Sequence, residues 1–94
     1  MQLTARSGDR ASTEMGIKMN KARRATLKRL SNHLYSVQIE IEEARDEEQE
    51  AFDNLPESFQ ESERGAGMEL AVDDLEEAID CLQSARDCID RAVE

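Results

Sequence analysis

Two short stretches hold most of the side chains that could do chemistry. Ser58, Gln60, Ser62, Arg64 and Gly65 gather hydrogen-bonding groups around the start of a helical segment, and Lys21, Arg23, Arg24, Lys28 and Arg29 gather cations at the start of another. The first pattern suits an anion, because a helix N-terminus presents free N–H groups and the positive end of its dipole. Gly65 and Gly67 let a ligand or another backbone come close. The competing reading is a self-capping connector in which Arg64 pairs with Glu61 or Asp53. The cationic stretch opposes the dipole of its own helix, so it is not there for helix stability. It suits either a phosphate-bearing ligand, with Lys21, Arg24 and Lys28 as contacts, or acids on a neighbouring helix or subunit. No aromatics are interleaved with these cations to stack on bases.

Catalytic constellations are missing from the sequence. His33 is the sole histidine, and no Cys–His or Ser–His signature, phosphate-cradling glycine loop or histidine-rich metal motif occurs. Glu43, Glu47 and Glu50 share a helical face but lack the histidines or Asp/Asn-Gly loop of a cation site, so surface charge is the expectation. The chain is therefore expected to be no enzyme and to need no metal or cofactor. Cys81 and Cys88, seven residues apart, lie about 10 Å apart along a helix, beyond disulfide reach. Reduced, partly buried thiols and a cytoplasmic setting are expected.

A net charge of −10 is unevenly placed: residues 1–29 carry +6 and residues 30–94 carry −16. A body this acidic repels nucleic acid but can imitate it. Asp73, Asp74, Glu76, Glu77 and Asp80 form an acidic patch, either a solubilising surface or a surface for a protein partner. No apolar run approaches the roughly 20 residues of a membrane span, and the N-terminus has no apolar signal core.

The elements that must position these groups are two helices. Residues 1–19 read as a mobile tail, and Met19 is a possible native start. A helix is expected over about residues 20–54, capped by Asn20, then a turn over 55–62 around the single proline, Pro56, then a helix over about 63–93. Asn54 can cap a short helical turn that Pro56 opens, and Ser58, through an S-x-x-E box with Glu61, competes with Ser62 to start the second helix. The first helix has an apolar seam at Leu27, Leu30, Leu34, Val37, Ile41, Ala44, Ala51 and Leu55, interrupted by Glu48. Ile39, Tyr35 and Phe52 lie off it. The second has Met68, Val72, Leu75, Ile79, Leu82, Ile89 and Val93, interrupted by Arg86, with Ala71, Ala78, Ala85 and Ala92 beside it. The fold expected is an all-α, long antiparallel helical hairpin with heptad seams, in which paired residue numbers sum to about 120. His33 then lies near Arg86 at the bundle edge. Two helices alone leave half of each apolar stripe wet, so self-association into a helical bundle is expected, with Glu48 and Arg86 selecting register.

The segment D-E-E-Q-E-A-F-D-N-L-P-E-S-F-Q-E-S-E-R-G, followed by D-D-L-E-E-A-I-D, resembles short acidic helical proteins of unknown function from phages and mobile elements of Gram-positive bacteria. The N-L-P-E-S-x-Q-x-S-E-R-G core carries the resemblance, which covers about half the chain; residues before Met19 and the Gly-Ala-Gly at 65–67 depart from it. It implies a phage context, the cytoplasm of an infected bacterium, and a non-catalytic role such as counter-defence. Three functions fit: binding a host or phage protein through the acidic surface, sequestering a nucleotide signal at the turn with help from the cationic stretch, or a structural role in virion assembly.

Overall fold

The computed structural model describes residues 19–94. The tail expected at the N-terminus therefore lies outside the described residues, Met19 excepted. Three helices follow: α1 (Lys21–Asp53), α2 (Glu57–Gln60) and α3 (Glu63–Ala92). Asn20 starts α1, its side-chain oxygen accepting from the Arg23 N–H at 2.8 Å, which satisfies one of the donors a helix start leaves open. The turn resolves differently from the S-x-x-E expectation. Pro56 stands at the N-cap of α2 and offers no side-chain cap, while Ser58 lies within α2. Asn54 instead closes α1, its N–H donating to the Glu50 carbonyl at 3.0 Å. Ser62 caps α3 by accepting from the Gly65 N–H. A serine already inside a helical turn has its backbone committed, and only the extended Ser62 can turn its hydroxyl back onto open N–H groups.

Helices α1 and α3 pack antiparallel along their length. The molecule measures 64 × 25 × 15 Å, so it is barely more than one helix thick. Such a slab has almost no interior. Among the described residues the buried apolar side chains are Val72 and Ile79 on α3 and Val93 at its C-cap.

Its seam departs from the apolar pattern on α1. The face turned to α3 runs through Leu27, Ser31, Leu34, Gln38, Ile41, Arg45, Glu48, Phe52 and Leu55, every one buried or half-buried. Ser31 and Gln38 are the most buried residues of α1, at 3% and 6% exposure, whereas Leu30 is 38% exposed. Phe52, expected off the seam, is on it, and Leu30, Val37, Ala44 and Ala51 rotate onto a flank. The reason is Arg86, which sits in the α3 seam and needs acceptors opposite. Its Nε donates to the Ser31 carbonyl at 3.3 Å, and its Nη1 to Gln38 Oε1 at 3.5 Å and Gln83 Oε1 at 3.3 Å. Gln38 Nε2 donates to Gln83 Oε1 at 3.2 Å, and Ser31 Oγ to Asp90 Oδ1 at 3.2 Å. The Arg86 guanidinium also lies 4.6 Å from the Tyr35 ring centroid. His33, by contrast, is exposed and takes no part. The facing pairs Ser31 with Asp90, Gln38 with Gln83 and Arg45 with Glu76 each sum to 121, which sets the register.

Candidate interaction surfaces

The hairpin sends the two chemically promising stretches to opposite ends. The cations at 21–29 open α1, and the polar turn follows its far end, 33 helical residues later, about 50 Å away at the α-helical rise. One protomer therefore cannot bring Lys21, Arg24 or Lys28 to Ser58 or Arg64.

At the turn, most polar groups already serve the chain itself. Gln60 Nε2 donates to the Phe52 carbonyl at 3.0 Å and lies 3.4 Å from the Asp53 carbonyl. The Ser62 hydroxyl donates to the Phe59 carbonyl while accepting from the Gly65 N–H. Gly65 is buried, and a Cβ there would meet the Gln60 carbonyl and, at 2.7 Å, the Phe59 carbonyl oxygen. The close approach that this glycine permits is thus made by the protein's own backbone. Gly67 faces open space. Ser58 and Arg64 are exposed and make no hydrogen bond or ion pair among the described residues, so Arg64 pairs with neither Glu61 nor Asp53.

At the open end, Lys21, Arg24, Ala25, Lys28 and Val93 line a groove of about 350 Å³. The cations step by three and four along α1, which aligns them on one face. No ion pair neutralises them among the described residues. Those residues hold no cluster of metal-ligating side chains, and no helix among them is long and apolar enough to cross a membrane.

The acidic patch lies on the outer side of α3. Asp73, Asp74, Glu76, Glu77 and Asp80 are all exposed. Glu76 faces the Arg45 guanidinium at 3.9 Å, and the other four have no ion pair or hydrogen bond among the described residues. Cys81 and Cys88 are free thiols and exposed, not partly buried as their spacing beside the seam suggested; with α1 packed on one side only, their flank of α3 remains open. No family model, curated protein or solved structure matches the chain.

Proposed function

We propose that this protein is a non-enzymatic interaction protein that offers the outer face of α3 to a basic surface of a protein partner, in imitation of DNA. One observation carries this reading: five exposed carboxylates between residues 73 and 80, four of them without a counter-charge. At the helical rise this is one negative charge per roughly 2 Å, close to the roughly 1.7 Å per charge of duplex DNA. The hairpin holds those charges over about two turns of α3, with Asp74 and Glu76 on opposite flanks and Asp73, Glu77 and Asp80 between them. The resemblance to short acidic phage proteins supports a host or phage protein as partner and counter-defence as the use.

The test is affinity capture from the bacterial host with the wild-type protein and with Asp73→Lys, Asp74→Lys, Glu76→Lys and Glu77→Lys combined. The expected result is a captured DNA-binding protein that the variant loses, that duplex DNA displaces and that elutes with rising salt. Equal capture by the charge-reversed variant refutes the reading.

A second reading draws support from the groove at the open end, whose volume suits a small ligand and whose three cations suit its phosphates. Here the protein sequesters a nucleotide signal at Lys21, Arg24 and Lys28. Calorimetry with a panel of linear and cyclic nucleotides, on wild type and Arg24→Ala, separates the two readings. Absence of heat with every nucleotide eliminates the second.

A further inference from the structure

The two long sides of the slab are chemically opposite. On one side lie Tyr35 with Arg86, Ser31 with Asp90, and Arg45 with Glu76, the polar network that crosses from helix to helix. On the other, the column one residue before each Ser31-type position of α1 is Leu30, Val37 and Ala44, and the equivalent column of α3 is Ala71, Ala78 and Ala85. In an antiparallel pair, equivalent flanks meet on the same side. These six therefore share one continuous apolar face, on which Leu30, Ala44 and Ala85 are exposed and the rest half-buried.

We propose that a second copy of this chain covers that face, with the two hairpins running in opposite directions, to form an antiparallel four-helix bundle. Three observations select this occupant. The apolar columns span about 30 Å of the roughly 45 Å length of the hairpin and about 20 Å across, on the order of 600 Å² per copy, to which the flanking polar residues add toward the roughly 800 Å² per partner of a stable interface. A slab 15 Å thick with three buried apolar side chains lacks a core, and a second slab supplies one. Charge fixes the direction. Residues 21–29 carry +5 and residues 43–64 carry −7. Hairpins running the same way put both cationic ends together and both acidic turns together. Opposed hairpins, with a two-fold axis near the level of Ile41 and Asp80, set the cationic end of one copy, residues 21–29, at the level of the acidic turn of the other. Small alanines on α3 let the two copies of that helix approach closely.

The test combines mass and orientation. Sedimentation of the full chain across about 1–100 μM is expected to give a dimer, since an interface of this size and modest hydrophobicity corresponds to micromolar or tighter affinity. Val37→Arg with Ala78→Arg, on the apolar face, is expected to give a helical monomer or to raise Kd at least 100-fold. Gln49→Arg, on the polar side, is expected to leave the dimer intact. Should the double variant lose its helix, orientation decides. A spin label on Ser58→Cys, with Cys81→Ala and Cys88→Ala, is expected to give a turn-to-turn distance of about 50 Å, against less than about 25 Å for hairpins running the same way. A monomer at all concentrations, a dimer indifferent to the double arginine variant, or the shorter distance each overturns the proposal. None of these readouts depends on the acidic patch or on a nucleotide, so failure here is distinct from failure of the functional readings.

Discussion

Arg86 is the residue on which the hairpin's register is expected to depend, and the structure sets the size of the effect. It is half-buried in the α3 seam, with three hydrogen bonds of 3.3, 3.5 and 3.3 Å and a tyrosine ring at 4.6 Å. Those bonds are long, so each contributes toward the low end of the usual range, about 0.5 kcal/mol, and the ring contact adds about 0.5 kcal/mol at a partly exposed site. Water reaches a half-buried position, so the acceptors left behind by truncation are resolvated at little cost. Gln38 and Gln83 also keep their bond to one another. Arg86→Ala is expected to destabilise by about 2 kcal/mol from these contacts, with the lost packing of the alkyl stem adding to it. Arg86→Leu places apolar surface in the same position opposite Leu34, between Ser31 and Gln38, and recovers about 1–1.5 kcal/mol. It is expected to fall within about 1 kcal/mol of wild type, as polar seam layers replaced by apolar ones commonly do. Urea unfolding followed by circular dichroism, at one fixed protein concentration, reads both. If the leucine variant is as unstable as the alanine variant, Arg86 contributes through its charge, and the argument that its role is register fails. A further expectation distinguishes the two roles: Arg86→Leu combined with Gln38→Leu keeps or raises the midpoint but broadens the amide NMR spectrum, because the apolar seam no longer prefers one alignment.

The turn offers two contrasting pairs. Gly65→Ala drives a methyl into the Gln60 and Phe59 carbonyls, both backbone groups that cannot swing aside, and is expected to lower stability by about 2–4 kcal/mol; Gly67→Ala meets nothing within 4 Å and is expected to raise it by about 0.5–1 kcal/mol. Thermal unfolding of the two variants checks both signs, and a neutral Gly65→Ala contradicts the packed corner. Ser62→Ala removes the α3 cap and is expected to lower stability by about 1 kcal/mol, whereas Ser58→Ala, inside α2, is expected to change it by less than about 0.3 kcal/mol; the reverse order in urea midpoints assigns the cap to the S-x-x-E box after all.

The sequence made the hairpin legible because each of its causes is local. Pro56 must interrupt a helix, Asn20 and Ser62 are of cap type, and the apolar spacing of α3 is clean enough that Met68 through Val93 is the observed seam. The face that α1 turns inward was not legible from apolar spacing alone. Counting apolar residues favours Leu30 and Val37, and it is the neighbours Ser31 and Gln38 that are buried. A signal did exist. Once the register places Arg86 opposite Leu34, the burial of that arginine calls for polar partners one turn to each side, and Ser31 and Gln38 occupy those places. Local pattern reports what a helix could bury, while the partner helix decides what it does bury. Among the candidate binding residues, the cations Lys21, Arg24 and Lys28 do share a groove. Gln60, Ser62 and Gly65 are taken up by the connector itself, since the polar types that attract a ligand are also those that complete a helix corner.

The corner also governs the order in which the molecule assembles. Gln60 reaches back eight residues to Phe52, a contact that closes quickly, whereas Ser31 meets Asp90 across 59 residues of chain. Loop closure favours the short contact first, after which each successive seam layer needs only a small further step. Folding is therefore expected to zip from the Pro56 corner outward, with the last layer to form, beside Leu27 and Val93, the first to open. Amide exchange is accordingly expected to be fastest at the end where the cations of α1 sit, and a partner that binds there is expected to slow exchange over the adjoining layers in turn.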